Sequence, residues 1–309
     1  MHKISVVISA FNEEKKIDSC LRSVKWADEI VVVDNSSTDK TGEIARKHTQ
    51  HVYTQKNDPS AIDIQKNFGI EKATGEWILV LDADEEVTPE LAEEIKTVIN
   101  SLSTELRAET VNGFWIPRKN IIFGKWMEHT GWYPDPQLRL FKKGKGKFKQ
   151  EHVHEPLVVD GDTEHLKDHL LHHNYENVSQ FLSKSLLVYA PNEAEDLLAK
   201  GYIFTYKDII RFPLKEFLSR YFAREGYRDG FHGLAMSILM GLYHLVIFMY
   251  LWEKKNFAQL SNEDVVEELK DEWKNSKKDL MFWISKIAVE GEKSGLKKIG
   301  LKLKRKFGV

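Results

Sequence analysis

Residues 76–86 read Glu-Trp-Ile-Leu-Val-Leu-Asp-Ala-Asp-Glu-Glu, an apolar run that ends in four carboxylates with one alanine between the first two. The apolar run over 77–81 predicts a strand buried on both faces, with the acidic residues at its carboxyl end. Alternate residues of an extended chain project to the same side, so we expect Asp82 and Asp84 to point at one place beyond the sheet edge.

These two carboxylates predict a metal site. Like charges held that close repel each other, and Mg²⁺ or Mn²⁺ bound with waters and substrate phosphates would relieve the repulsion. We therefore interpret Asp82 and Asp84 as ligands of a metal-diphosphate site. The alternative is an acidic loop that leads into a helix, because Thr88, Pro89 and Glu90 are typical of a helix start.

The residues before this stretch predict three more strands, over 3–11, 29–34 and 51–55, with helices between them. Residues 35–41 are small and polar, which suits a tight turn where ribose hydroxyls or an anion could bind. Asp34 at the strand end is the expected ribose or base contact, unless Asp34 only forms the turn and Asp39 only caps the next helix. A predicted helix over 61–73 brings Lys66 towards the same side.

Strands that alternate with helices predict an α/β fold with a mainly parallel sheet and ligands at the carboxyl ends of its strands. No Gly-x-Gly-x-x-Gly follows the first strand, and the sequence has no Walker-type Gly-Lys-Ser/Thr. The usual dinucleotide and P-loop sites are therefore disfavoured. Acidic residues at several strand ends instead favour a nucleotide held through a metal ion.

Four short motifs follow one another over the first third of the chain. They are Val-Val-Ile-Ser-Ala-Phe-Asn-Glu-Glu at 6–14, Val-Asp-Asn-Ser-Ser-Thr-Asp-Lys-Thr at 33–41, Lys-Asn at 66–67 and Leu-Asp-Ala-Asp-Glu at 81–85. In this order they resemble the motifs of the family 2 glycosyltransferases, which have the Rossmann-like GT-A fold. Within that family, residues 132–189 and 226–233 most resemble the lipopolysaccharide core enzymes that add a β-linked glucose to heptose.

The resemblance implies roles for individual residues. Asp34 and Asp39 would contact the base and ribose of a UDP-sugar, and Glu13 would lie near the same nucleotide. Asp82 and Asp84 would bind the metal ion and the diphosphate. The resemblance also implies that the reaction inverts the anomeric centre.

Residues 111–175 predict short strands separated by turns, which would extend the sheet. Asp135 lies there between Pro134 and Pro136, which fix its backbone and keep it out of a helix. A carboxylate held in this way suits a general base that takes the proton from an acceptor hydroxyl. In related transferases the base usually belongs to an acidic pair, and here Pro134 stands in place of the second acid.

Residues 151–156 read Glu-His-Val-His-Glu-Pro and offer alternatives. Glu155 is a second possibility for the base, and His154 could be an additional metal ligand. Arg139, on a predicted apolar strand, is expected to help neutralise the diphosphate. The alternative for Arg139 is an ordinary exposed charge on a strand.

The C-terminal part of the chain is predicted to be helical. Residues 231–252 contain no Asp, Glu, Lys or Arg and are long enough to span a bilayer. We expect a helix that buries one side on protein and dips the other into lipid, with a fully buried core helix as the alternative. Near the C-terminus, Leu296, Ile299, Leu303 and Phe307 share a helical face surrounded by Lys and Arg, which suits an anionic membrane surface or a solvated terminus.

Composition narrows the class of protein. The formal net charge of −2 over 309 residues argues against a general nucleic-acid binder. The single cysteine, Cys20, excludes an intramolecular disulfide and fits a reducing compartment. The first apolar run meets charged residues too early for a secretory signal, so we expect a cytoplasmic protein.

Taken together, we expect a nucleotide-sugar-binding half over 1–110, an acceptor half over 111–175 and a membrane-associated helical extension over 176–309. The expected activity is an inverting, metal-dependent transfer of a hexose from a UDP-sugar to a lipopolysaccharide-core or other lipid-linked saccharide. Glucose is the expected hexose. The protein would act as a peripheral or monotopic enzyme at the inner face of the cytoplasmic membrane. The alternatives are a polyprenyl-phosphate glycosyltransferase, a nucleotidyltransferase and a non-catalytic membrane adaptor.

Overall fold

The computed structural model describes residues 2–58, 63–102, 110–149, 157–203, 205–259 and 265–291. The chain divides into two compact units. Unit 1 takes in Met1–Trp126 and Tyr133–Asn174, and unit 2 takes in Met127–Trp132 and Tyr175–Val309.

Strands dominate unit 1. In chain order they are β1 (Ile4–Ala10), β2 (Glu29–Asp34), β3 (Val52–Thr54), β4 (Trp77–Asp82), β5 (Glu85–Val87), β6 (Val111–Ile116), β7 (Arg118–Ile122), β8 (Lys125–Trp126), β9 (Gln137–Lys142), β10 (Gly146–Phe148), β11 (Leu157–Val159), β12 (Asp162–His165) and β13 (Leu170–Tyr175). The main sheet has seven strands in the order β12-β6-β9-β4-β1-β2-β3. Its pairs are parallel except that β9 runs antiparallel to both of its neighbours, so the predicted α/β class with a mainly parallel sheet is confirmed.

The parallel part of the sheet is covered by four helices, α1 (Ile17–Ser23), α2 (Thr41–Arg46), α3 (Lys66–Lys72) and α4 (Pro89–Leu102). Strands β1, β2 and β4 are apolar and buried along nearly their whole length, as strands with both faces covered must be. Their register places Ala10 opposite Asp34 and Ser9 opposite Asp82. The carboxyl ends of β2 and β4 therefore meet at one edge of the sheet.

The strands predicted after residue 110 were 113–117, 120–126, 137–142 and 152–159, and the structure differs from this prediction in sheet membership and in the number of strands. Strands β6 and β9 do extend the main sheet, but β7 and β8 belong to a separate four-stranded sheet with the order β5-β13-β7-β8. The sequence analysis missed β5, β10, β12 and β13, because each is short or polar; β12, for example, reads Asp-Thr-Glu-His. Without an apolar alternation, these segments give no period-2 signal.

Unit 2 is helical, with α5 (Val178–Lys184), α6 (Ala190–Ala199), α7 (Asp208–Leu218), α8 (Phe231–Lys254) and α9 (Val265–Gly291). A π-helical turn, Ser185–Tyr189, joins α5 to α6. The sequence pattern of 178–189 predicts a helix that Pro191 ends, but Pro191 lies in the first turn of α6. The π-helical turn Ser185–Tyr189 ends two residues before Pro191, so the regular hydrogen-bond ladder is already interrupted where proline lacks its N–H.

Helix α8 contains the apolar segment 231–252. It is long and apolar enough to cross a membrane, although a core helix of a soluble protein can meet the same criteria. One side packs on α6, where Ile247, Phe248 and Leu251 are buried with Ala190 and Ala194. The other side leaves apolar residues exposed: Phe231, Ile238, Leu242, Met249 and Trp252.

Candidate active site

Asp82, the last residue of β4, is held by two buried cations. Lys66 Nζ lies 2.7 Å from Asp82 Oδ1, and Arg139 donates a short hydrogen bond to Asp82 Oδ2. Burial alone would raise the pKa of Asp82, but the charges of Arg139 and Lys66 outweigh it and hold the pKa well below its usual range. Asp82 is therefore an anion compensated by two cations from α3 and β9.

Lys66 and Arg139 are in turn held in their charged forms by neighbouring carboxylates. Burial would lower the pKa of Lys66, but the charges of Asp82 and of Asp63, 2.9 Å away, raise it. Burial is likewise outweighed at Arg139, whose pKa is raised by Asp82 and Glu85. The alternative of an ordinary exposed charge at Arg139 is wrong, because only 5% of this residue is exposed.

Glu85 is the centre of the same network and was given no role in the sequence analysis. Its side chain is fully buried, and its Oε1 accepts hydrogen bonds from Arg139 Nη2 at 2.9 Å and from Arg118 Nη1 at 3.1 Å. Its Oε2 accepts the backbone N–H of Asp82 at 3.0 Å. Glu85 thus joins the end of β4 to two arginines.

Asp135 lies at the other end of this network. Its Oδ2 accepts hydrogen bonds from Arg118 Nε at 3.0 Å, Arg118 Nη2 at 2.7 Å and Asn120 Nδ2 at 2.9 Å. Its Oδ1 accepts one longer bond, of 3.2 Å, from Gln137. The Tyr133–Pro134 peptide is cis, and φ at Asp135 is 42°. The four hydrogen bonds hold the carboxylate in one orientation.

Asp84 lies in the turn after β4 rather than in the strand, so it does not simply repeat the direction of Asp82. Its nearest cation, Lys16 Nζ, is 3.8 Å from Oδ2, and His172 Nε2 is 3.7 Å from Oδ1. Burial would raise the pKa of Asp84, but the nearby His172 lowers it. Neither neighbour is close enough for a strong hydrogen bond, so both oxygens can accept a further ligand.

The tautomer of His172 matters for a metal ion. Asn120 donates its Nδ2 to Asp135, so its Oδ1 accepts from His172 Nδ1 at 2.7 Å. When the ring is neutral, its proton is therefore on Nδ1, and Nε2 is the nitrogen with a lone pair for a ligand. Adjacent ligands of an octahedral Mg²⁺ are about 3 Å apart, so Nε2 and Asp84 Oδ1, at 3.7 Å, would have to move closer before both could bind one ion.

The described residues contain no group of three or more His, Cys, Asp or Glu side chains arranged to hold a metal ion. Mg²⁺ is commonly bound by one or two carboxylates together with substrate phosphates, and such a site needs fewer protein ligands. Asp84 with His172 fits that requirement, whereas Asp82 is already engaged by cations. His154 and Glu155 lie outside the described residues.

The predicted nucleotide contacts lie in two loops that bind each other. Asp34 is buried and its Oδ1 accepts the Ser37 N–H at 2.9 Å. Asp39 accepts the N–H of Thr41 at 2.9 Å and that of Glu14 at 3.1 Å. Although burial opposes it, these hydrogen bonds lower the pKa of Asp39.

Glu13 belongs to the first of these loops, and its N–H donates to Thr41 Oγ1 at 2.7 Å. The 11–14 loop is therefore tied to the start of α2. This arrangement keeps Glu13 and Asp39 at the edge of the sheet where Asp34 and Asp82 end their strands.

Comparison with known proteins agrees with this architecture. Residues 5–149 match the model of the family described as glycosyl transferase family 2. An uncharacterized glycosyltransferase of Rickettsia typhi is 28% identical over 254 residues, which cover 77% of this chain and 83% of that protein. The lipopolysaccharide core biosynthesis glycosyltransferase LpsC of Rhizobium meliloti is 23% identical over 84% of this chain and 96% of its own length.

Among solved structures, S. aureus TarS in complex with UDP-GlcNAc aligns with 90% of this chain and 91% of its own, at 15% identity and a TM-score of 0.43. Because that score is low, the assignment of the fold rests on the strand order and register described above. The family match and the named relatives decide the class of enzyme. By these matches the chain is similar to the family 2 glycosyltransferases, through residues 5–149 and through relatives named glycosyltransferases that cover more than three quarters of its length.

Proposed function

We propose that the protein is an inverting, metal-dependent glycosyltransferase that moves a hexose from a UDP-sugar to a lipopolysaccharide-core or other lipid-linked saccharide. Glucose is the hexose that we propose. The observation that carries the proposal is the network in which Asp82 and Asp135 are joined through Arg139, Glu85 and Arg118. It links a strand-end acid suited to the donor with an acid suited to the acceptor. The name of LpsC supports the choice of acceptor.

The donor would bind along the strand ends. Asp34, Asp39 and Glu13 are proposed to contact the base and ribose, and Asp82 the ribose or diphosphate. Arg139 and Lys66 would face the diphosphate. Support for Arg139 comes from its Nε, which is buried and has no hydrogen-bond partner among the described residues. A phosphate oxygen is a suitable acceptor for such a group.

Asp84 is the proposed first ligand of a divalent cation, Mg²⁺ or Mn²⁺, and His172, whose Nε2 lies 3.7 Å from Asp84 Oδ1, is a further candidate. Asp82 stays a prediction for the same role, because Lys66 and Arg139 already engage both of its oxygens. His154 stays a prediction for the same role. When bound, the cation stabilises the negative charge that develops on the departing UDP. The protein's own contribution is to hold the carboxylates in the turn that follows β4.

In the proposed reaction, an acceptor hydroxyl oxygen attacks the anomeric carbon of the donor sugar. The bond from that carbon to the UDP oxygen breaks, and its electron pair leaves with UDP. The hydroxyl proton passes to Asp135, at Oδ1, because Oδ2 already accepts three hydrogen bonds. A single displacement of this kind inverts the anomeric centre. Glu155 remains the alternative base.

The test is calorimetric titration of UDP and UDP-glucose into the purified protein, with Mn²⁺ and with EDTA. We expect binding that needs the metal ion and that is lost in Asp84→Ala. Absence of binding by either ligand to the native chain under any condition would overturn the proposal. Release of pyrophosphate instead of UDP would identify the alternative, a nucleotidyltransferase. A product formed on polyprenyl phosphate instead of a saccharide would identify the other alternative.

We further propose that the protein acts at the inner, anionic face of the cytoplasmic membrane, as a peripheral or monotopic enzyme. The exposed apolar side of α8 supports this proposal. Helix α9 adds a second surface, the α9 stripe, whose residues are all exposed at helical spacing: Val266, Lys270, Trp273, Lys277, Met281, Ile284 and Ala288. Exposed apolar, aromatic and lysine side chains suit an anionic lipid surface, although Lys270 also pairs with Glu267 on the neighbouring face. The predicted basic tail over 296–307 lies outside the described residues.

A further inference from the structure

Glu85 is a buried carboxylate that contacts two arginines and the backbone of Asp82. None of its side chain is exposed, yet both oxygens are used, one by two arginines and the other by the backbone of Asp82. A buried anion is costly unless it is paired and hydrogen-bonded. The cost is offset here only by groups that themselves contact the proposed donor and acceptor acids.

The charges around Glu85 alternate along one continuous line. In spatial order the side chains are Lys66, Asp82, Arg139, Glu85, Arg118 and Asp135, each in contact with the next. The three cations and three anions of the line alternate, and Asp63 adds a further anion beside Lys66. Removing the central anion would leave the guanidinium groups of Arg139, which is buried, and Arg118, which is partly buried, with one counter-charge fewer.

We propose that Glu85 is a positioning residue for catalysis, which sets the place of the Arg118 guanidinium and, through it, the direction in which Asp135 presents Oδ1. This inference rests on the proposed function and names two residues that act on the base. Arg118 holds Asp135 Oδ2 with both Nε and Nη2, and its remaining Nη1 is anchored on Glu85. The same carboxylate accepts a hydrogen bond from Arg139, so Glu85 holds both the arginine beside Asp82 and the arginine beside Asp135.

Glutamine is an informative replacement at residue 85. Its single oxygen can still accept from the two arginines, but its amide then faces the N–H of Asp82, so that two donors meet. The replacement also removes the charge that fixes Arg118. We expect the Asp135 carboxylate to be misdirected while its own chemistry is intact, and small misplacements of a reacting group cost about 10- to 100-fold in rate.

The experiment measures UDP release from UDP-glucose with water as the acceptor, together with UDP affinity by calorimetry in the presence of Mn²⁺. We expect Glu85→Gln and Arg118→Gln each to slow release by about 10- to 100-fold. UDP affinity should stay near the native value in Arg118→Gln, because the contacts of Arg118 are with Glu85 and Asp135. Glu86→Gln is the matched control: the next residue is a carboxylate that pairs with His173 at 3.0 Å, outside this line of charges.

The double variant Glu85→Gln/Arg118→Gln separates positioning from general destabilisation. If Glu85 acts through Arg118, the double variant is about as slow as the slower single variant, whereas independent effects would multiply. Multiplication, or a native rate in Glu85→Gln, would overturn the inference.

A variant that keeps the charge covers the case in which Glu85→Gln does not fold. Arg118→Lys retains the cation beside Glu85 but cannot hold Asp135 with two N–H groups. A slow rate with native UDP affinity supports the inference, and a native rate contradicts it. Failure of the native chain to bind UDP at all would count against the proposed function itself, whereas binding and turnover without any effect at residues 85 and 118 would count only against this inference.

Discussion

Asp135 is the residue whose replacement should separate binding from chemistry. Its carboxylate is held by Arg118, Asn120 and Gln137, and none of these contacts is with the proposed donor residues at the end of β4. We expect Asp135→Asn to lower the rate of UDP release from UDP-glucose by about 10²- to 10⁴-fold, since the group that accepts the proton is lost. UDP affinity should change little.

The control for this substitution is Asp160→Asn, which removes an exposed carboxylate paired only at the surface with Lys145. It should retain native turnover. Native turnover in Asp135→Asn would move the role of base to another acid, with Glu155 the first to test.

Asp82 makes stability depend on pH. Its folded-state pKa lies well below the usual value for aspartate, about 3.9, so its contribution to the free energy of unfolding is complete above that value. The contribution is lost as the pH falls through the folded-state pKa. Asp82→Asn should therefore lower the melting temperature at pH 7, and the difference from the native chain should shrink below about pH 4.

Thermal unfolding followed by circular dichroism between pH 3 and 8 measures this difference. A gap between native and Asp82→Asn that stays constant over the whole range would mean that the ionised carboxylate contributes nothing through Lys66 and Arg139. Asp18→Asn, measured over the same pH range, is the comparison, because Asp18 is a partly exposed carboxylate on α1 that pairs with Arg22.

The sequence could point to Asp82, Asp84, Asp135 and Arg139, because each stands beside an apolar run or between prolines. It could not point to Glu85 as a hub. Its partners come from β7 and β9, and only the pairing of β9 with β4 brings Arg139 to the acid. Long-range pairings between charged residues leave no periodic signal along the chain.

At the scale of elements, the best predicted parts were the buried strands. Strand β2 has the predicted bounds, β1 is one residue shorter than predicted at each end, and β4 is one residue longer at its carboxyl end. Continuous apolar runs mark strands covered on both faces. Polar strands such as β13, Leu-Leu-His-His-Asn-Tyr, were missed although β13 carries His172 to Asp84. Sheet membership there is decided by tertiary pairing with β5, which overrides local preference.

Gly42, at the start of α2, offers a test of whether Asp34 contacts the nucleotide. A Cβ at Gly42 would lie 2.5 Å from Asp34 Oδ2, closer than such atoms approach. Gly42→Ala must therefore displace the Asp34 side chain, and we expect UDP affinity to fall about tenfold through loss of one charge-assisted hydrogen bond. Calorimetry with Mn²⁺ measures it. Glu43→Ala, an exposed neighbour on the same helix, should bind UDP as the native chain does, and equal affinity in both variants would remove Asp34 from the donor site.

For the whole molecule, a net charge of −2 conceals an uneven distribution. Asp82, Asp84 and Glu85 concentrate negative charge at the strand ends of unit 1, where buried cations compensate it. In unit 2 the α9 stripe carries lysines among exposed apolar side chains. Total composition could not reveal this contrast, because it averages over surfaces of different charge.

The α9 stripe leads to a prediction for the intact protein. Lys270 and Lys277 lie on it with Trp273, which is 64% exposed. We expect the native chain to sediment with vesicles that contain phosphatidylglycerol and not with vesicles of phosphatidylcholine alone. Each lysine near an anionic surface contributes about 1 kcal/mol, so Lys270→Glu/Lys277→Glu should weaken binding by more than tenfold. Trp273→Ser should weaken it less, by the loss of one buried aromatic ring.

The matched control is Lys25→Glu/Lys47→Glu, which makes the same change in net charge on exposed residues of unit 1. If attraction were due only to overall charge, both double variants would lose vesicle binding equally. Selective loss in the α9 variant, reversed neither by UDP nor by Mn²⁺, would assign the membrane surface to α9. Binding that survives the α9 variant and is unaffected by raising the salt concentration would point to the apolar side of α8 instead, since burial of apolar surface is not screened by ions.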